Sequence, residues 1–204
     1  MRFIAAFIAA FCYVVFAQNL VLTGGYGISE SIRTAARPRQ LFIFSMAIIY
    51  FSTLTSLICR VVMLIPIFKT ATVITNLLVY TLVLTAIYLI TMGIMKALLS
   101  KSSWTQVEKE KLYRQTAISA FNTIVLAVPF MNQKVAYTVS ESLAQGIGAG
   151  VAFVIATFII HMGMLKIESN PAIPGCFKGT PALFMYIAIL SLAFTGISGE
   201  SLFF

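Results

Sequence analysis

Apolar residues run along this chain in six stretches of near-membrane length, approximately Arg2–Leu22, Gln40–Leu64, Ala71–Leu99, Thr116–Asn132, Glu141–Leu165 and Pro181–Phe204. A bilayer core about 30 Å thick needs about 20 apolar residues per helix, so the pattern predicts six transmembrane helices. Bilayer-spanning strands would alternate apolar and polar positions over about 10 residues. These stretches are apolar on every face, which argues against a barrel. The first stretch, with Arg2, the apolar run Phe3–Phe16 and the small residue Ala17, also has the form of a secretory signal peptide. We read it as a helix.

Two of the six stretches carry helix breakers. The first leads through Gln18 and Asn19 into Leu20, Val21 and Leu22 and then into the adjacent Gly24 and Gly25, which predict a break. The fourth carries Asn122, an aliphatic run and then Pro129, which predicts an interruption there. Each breaker follows an Asn, and each broken stretch stands first in its half of the chain. Three helices separate the two, so successive halves enter the membrane in opposite directions. The expected architecture is an all-α polytopic membrane protein, a single domain over residues 1–204. Its six transmembrane helices form two inverted three-helix repeats, about 1–100 and about 101–204, each opened by a broken helix.

Interrupted helices at matching positions of inverted halves point to a site at mid-membrane. The candidate site residues are Gln18, Asn19, Gly24, Gly25, Asn122 and Pro129. An amide in lipid is costly unless bonded. Two roles stand open for these amides: capping the freed backbone of their own half-helix, or coordinating a cation. The half-helix ends, expected at Gly24–Ser29 and Ala127–Phe130, would need cover from protein or water.

Composition supports the membrane reading. The chain of 204 residues is 60% apolar and 10% charged, with a mean hydropathy of +0.97. A soluble domain carries about a quarter charged residues, so an ordinary soluble protein and a disordered one are both excluded. All six acids are Glu, which removes paired-aspartate catalysis, Asp-rich calcium loops and a Ser-His-Asp triad. One His and three scattered Cys offer neither a CxxC pair nor an HExxH run, the recognisable zinc spacings.

The fourteen Lys and Arg divide unevenly between the two sides. Arg33, Arg37, Arg39, Lys96, Lys101, Lys109, Lys111, Arg114, Lys166 and Lys178 fall on one side, and Arg2, Arg60, Lys69 and Lys134 on the other. The basic side is cytoplasmic, so both termini are expected outside. Basic cytoplasmic loops facing anionic lipid account for the +8 net charge. No basic run is interleaved with aromatics, so no nucleic acid is expected.

Several single residues complete the reading. Thr105 and Glu108 have capping-box spacing, which starts a helix beside an interfacial Trp104. Cys12, Cys59 and Cys176 read as free core thiols. His161 is either a proton relay or a neutral interfacial residue, and Gly146, Gly148 and Gly150 read as a close-packing stripe. Glu141 and Glu200 fall at outer helix ends, and Arg60 is placed to snorkel.

The Asn19-Leu20-Val21-Leu22 run followed by Gly27-Ile28-Ser29, the second Asn122 segment, and Ser142 with Gly146-Ile147-Gly148-Ala149-Gly150 resemble the Rnf/Nqr membrane-subunit family. So do the closing Pro174-x-x-Phe177-Lys178-Gly179 and Leu192-Ala193-Phe194-x-Gly196-x-Ser198-Gly199. The likeness is closest to the RnfA and NqrE branch and spans nearly the whole length.

It implies a place in the cell membrane of a bacterium or archaeon, within a redox complex whose other subunits include a homologous membrane subunit. In such a complex, electron flow from NADH or ferredoxin is coupled to Na⁺ or H⁺ transport. Family members hold a membrane-embedded [2Fe–2S] cluster on Cys residues of a G-L-C-P-like run and a T-N-C-like run, with a related subunit supplying two more. Ser29 and Thr123 stand at those positions here. Clusters are held by thiolates, so no cofactor is expected on this chain, and [2Fe–2S] only in related subunits. The resemblance therefore implies at most a non-catalytic subunit of a cation-translocating oxidoreductase. The alternative is a stand-alone transporter for a small molecule or ion on the same scaffold.

Overall fold

A computed structural model describes residues 2–37, 41–65, 68, 72–101, 103–135 and 138–198. Among them there is no strand. In chain order the helices are α1 (Arg2–Cys12), continued by a π turn over Tyr13–Ala17, then α2 (Ile28–Ala35), α3 (Leu41–Val62) and α4 (Val73–Ser100). There follow α5 (Gln106–Ala120), α6 (Thr123–Val135), α7 (Val139–Ser169) and α8 (Thr180–Ser198). Four of these, α3, α4, α7 and α8, are long and apolar enough to cross a membrane. The order is a pair of short helices and then two long ones, twice over.

Helix α7 forms the axis of the packing. Its most apolar stretch is 61% buried inside the chain, against 17% for α4 and 11% for α8, which lie at the periphery. Lipid is as apolar as leucine, so burial alone drives little helix association; close packing and interhelical polar bonds do. The glycine stripe supplies the first. A Cβ on Gly146 would sit 2.5 Å from Thr53 Cα, and one on Gly150 would sit 3.0 Å from Ile49 Cα, so α3 and α7 touch backbone to backbone.

Hydroxyls supply the second, as Ser52 Oγ donates to the Gly146 carbonyl at 2.8 Å and Ser56 Oγ to the Ser142 carbonyl at 2.8 Å. Elsewhere Thr81, Thr85, Thr91 and Thr195 each donate back to the carbonyl four residues earlier, which keeps their hydroxyls paired in an apolar surrounding. Peripheral faces carry exposed Phe42, Ile74, Leu82, Ile90 and Leu98, the lipid-facing belt of a membrane protein.

The helix starts follow their caps. Thr105 N donates to Glu108 Oε2 at 3.0 Å, forming the box expected at α5. A second box, Thr138 with Glu141, opens α7, where Thr138 N donates to Glu141 Oε2 at 2.7 Å. Trp104 is exposed.

Two expected breaks fall elsewhere. The first helix ends at Ala17 rather than running on to Leu22 and the Gly24–Gly25 pair. In the fourth stretch, Pro129 lies inside α6 and the chain breaks earlier, at Phe121 and Asn122. Pro129 forfeits one backbone bond but leaves the helix continuous.

The thiols also depart from expectation. Only Cys59 is buried, while Cys12 and Cys176 are exposed. The first helix buries Ala10, Val14 and Val15, and Cys12 lies off that face. Arg60 is half-buried. Arg39, Lys69 and Glu200, the expected starts at Gln40 and Ala71, the closing residues 199–204, and the side chains of Arg2, Asn132 and Lys134 lie outside the described residues.

Candidate functional site at the two helix breaks

The segment between α1 and α2 is not helical, yet Asn19, Leu20, Val21 and Leu22 are all at most 1% exposed and pack in the main core. A buried non-helical backbone needs partners for its amides, and the Asn19 side chain provides them. After Gln18 N closes the π turn on the Tyr13 carbonyl at 2.8 Å, Asn19 Oδ1 accepts from Val21 N at 3.1 Å and from Leu22 N at 3.2 Å. Those amides are thereby taken from the helix, which is why it stops before the glycines. The Asn19 amide group reaches across to the Ala152 carbonyl on α7 at 3.4 Å.

Asn122 repeats the device at the second break. Its Oδ1 accepts from Ile124 N at 3.1 Å, opening α6. Both carboxamide oxygens therefore point at their own backbone amides. Asn122 is also buried, and its Nδ2 has no partner among the described residues. Gln18 Oε1 is buried and equally without a partner.

The two breaks meet. Gly27 N donates to Thr123 Oγ1 at 2.7 Å across ninety-six residues of sequence. Gly27 holds φ at +74°, and a Cβ there would stand 2.8 Å from Asn122 Oδ1, so only glycine fits this junction. Gly25, at φ +69°, turns the chain beside it in open space, whereas a Cβ on Gly24 would strike the Tyr26 ring. Ser29, two residues into α2 from Gly27, is exposed, as are Thr123 and Phe121. Ala127, Val128 and Pro129 are instead buried within the chain's own core, so the half-helix end at the second break is Phe121–Thr123 and not Ala127–Phe130.

Helix α2 is tied to α7 from both ends of its buried face. Thr157 Oγ1 donates to Ser31 Oγ at 3.2 Å, and His161 Nδ1–H donates to the Ala35 carbonyl at 2.7 Å, which selects that tautomer. Sequence reasoning named Gly27 only in the family-like Gly27-Ile28-Ser29 run and did not count it among the candidate site residues. It also missed Asn76 on α4 and Gln145 on α7, which are fully buried with no partner for either amide atom among the described residues. An amide inside an apolar helix was the signal for both. No cluster of three His, Cys or Glu that could hold a metal ion occurs among the described residues.

A chain that is helical without strands among its described residues, with four membrane-length helices and two short broken pairs there, is a multi-pass membrane protein. No family model matches it. It is 28% identical over 193 residues to the A component of the ion-translocating oxidoreductase complex of Colwellia psychrerythraea, covering 91% of this chain and 92% of that protein. The corresponding A component in Aromatoleum aromaticum is 35% identical over 78 residues, a stretch that covers 38% of this chain and 40% of that protein. The A component of the Na⁺-translocating ferredoxin:NAD⁺ oxidoreductase complex of Acetobacterium woodii is 22% identical over 188 residues, 92% of this chain and 94% of that protein. Over about nine-tenths of its length the chain is thus similar to the A components of ion-translocating oxidoreductase complexes, at 22–28% identity.

Proposed function

We propose that this chain is an integral membrane subunit of an Rnf-type complex that couples electron transfer to Na⁺ or H⁺ translocation, working beside a homologous subunit. Its six membrane segments then form two inverted three-helix repeats, with each broken pair counted as one segment and both termini outside. The observation that carries this reading is the junction of the two breaks. Ser29, Thr123 and Phe121 are exposed around the bond from Gly27 N to Thr123 Oγ1. At membrane depth, interrupted backbone and hydroxyls are tolerated only against protein or water, and a paired subunit supplies that cover.

The residues at this junction do not fit a cluster of their own. Ser29 and Thr123 offer neutral hydroxyls where thiolates are needed, and the Thr123 oxygen is engaged by Gly27 N. Cys12, Cys59 and Cys176 lie on other elements. In this reading the chain is scaffold and ion path rather than electron carrier.

Mild-detergent purification of the tagged chain from its native membranes tests the assignment. The expected result is co-purification of flavin- or iron-bearing subunits together with a second six-helix subunit, with iron absent from the isolated chain. A stable monomer with no redox partner overturns the reading and leaves a lone transporter. Stoichiometric iron and sulfide on the isolated chain, lost on replacing a native Cys, overturns the ligand assignment.

A further inference from the structure

A cavity of about 280 Å³ opens between the end of α2, the first turn of α3 and the middle of α5. Four cations line it, Arg33, Arg37, Lys111 and Arg114, together with Thr34 and Phe44. One carboxylate answers them. Glu30 pairs with Arg33, whose guanidinium also stacks 5.6 Å from the centre of the Phe44 ring. Arg37, Lys111 and Arg114 make no ion pair among the described residues, and Glu110, one turn before Arg114, does not close on it. All four cations are exposed, so water and salt screen much of their mutual repulsion, and an anion seated among them relieves what remains.

The surroundings of the cavity indicate what kind of anion it takes. It sits at the membrane-water boundary, because Leu41 begins a membrane-length helix one turn before Phe44. Thr34 is also a wall of a neighbouring cleft of about 300 Å³ that runs past Ala35, Leu41 and Phe158. Leu41 in turn continues that cleft into an apolar groove of about 380 Å³ between α3 and α7. A cationic head site that passes into apolar clefts matches an amphiphile with an anionic end. Guanidinium forks suit phosphate oxygens, and basic pockets between membrane helices bind lipid headgroups.

We propose that this cavity binds the phosphate headgroup of an anionic phospholipid, with its acyl chains along the adjoining clefts. The bound lipid neutralises the cations and holds the end of α2 and the first turn of α3 against α5.

Native mass spectrometry of the full chain in detergent, titrated with phosphatidylcholine, phosphatidylglycerol or cardiolipin, tests this. The unaltered protein retains the two anionic lipids in preference to phosphatidylcholine. Lys111→Gln with Arg114→Gln weakens that retention by about tenfold or more, while Lys101→Gln with Lys166→Gln, an equal loss of charge at exposed positions outside the cavity, leaves it within about twofold. Arg114→Lys keeps most of it, and circular dichroism verifies the fold of each variant. Equal loss in the control pair overturns the proposal in favour of diffuse charge attraction, and equal retention of phosphatidylcholine removes the headgroup. Displacement of the lipid by millimolar inorganic phosphate alone identifies a free-phosphate site instead. Occupancy of the cavity by an acidic segment of a co-purifying subunit, with no lipid, also overturns it.

Discussion

Replacing Asn19 by Ala should destabilise this protein more than replacing Asn122 by Ala, although the two residues occupy equivalent breaks. Asn19 Oδ1 is the acceptor for two buried amides, Val21 N and Leu22 N. Water does not reach them, since Leu20, Val21 and Leu22 are all at most 1% exposed. A buried donor left without a partner costs about 1–3 kcal/mol, so Asn19→Ala should cost about 2–6 kcal/mol for the pair. The amide-group bonds of Asn19, at 3.4 and 3.5 Å, are long and add little.

Asn122 Oδ1 serves one amide, that of Ile124, for about 1–3 kcal/mol. Its loss is partly offset because the same substitution removes a buried, unpartnered Nδ2. Equilibrium unfolding of the purified protein in mixed micelles, followed by far-ultraviolet circular dichroism, measures both. A cost under about 1 kcal/mol for Asn19→Ala, or one no greater than that for Asn122→Ala, would refute the argument that these side chains hold the broken backbone.

Gly146→Ala should lower the thermal midpoint clearly, because the new methyl meets Thr53 Cα at 2.5 Å. Gly93→Ala, on the same kind of helix but with nothing within 4 Å, should be neutral or stabilising by up to about 1 kcal/mol, and thermal unfolding in detergent compares the two. Hydrogen bonds from Thr105 hold the Glu108 carboxyl below its ordinary value of 4.5. A lowered folded pKa means that the cap's contribution is present above that ordinary value and is lost as pH falls through the folded one. Hydrogen exchange in the first turn of α5 should therefore accelerate on acidification in the unaltered protein and show no such dependence in Glu108→Gln. For topology, a membrane-impermeant thiol reagent applied to intact cells should label Val139→Cys and spare Ser103→Cys; the opposite pattern reverses the orientation.

Much of this architecture was legible in the chain itself. Lipid demands apolar length and nothing of the partner helix, so Leu41–Val62, Val73–Ser100 and Val139–Ser169 lie within a few residues of where hydropathy alone sets them. Thr105 and Glu108 bond across three residues, and the close packing at Gly146 and Gly150 needs only small side chains at helical spacing. The positions of the breaks were not legible. Gly24, Gly25 and Pro129 are the strongest local breakers, yet the helices part at Asn19 and Asn122.

Whether a side-chain oxygen wins a backbone amide from the helix depends on what stands opposite it. For Asn122 that is the bare face of Gly27, which admits its oxygen, and for Asn19 it is the buried core, which leaves Val21 N and Leu22 N no water to bond instead. Likewise Cys59 is buried while Cys12 and Cys176 are exposed. The basic cavity draws Arg33 and Arg37 together with Lys111 and Arg114 from distant parts of the chain. Local sequence determined which stretches form the long membrane-length helices, because solvation by lipid acts one segment at a time. The meeting of the two breaks and the gathering of those cations were decided by the tertiary structure, because each needs groups that only packing around α7 and α3 brings within a few ångströms.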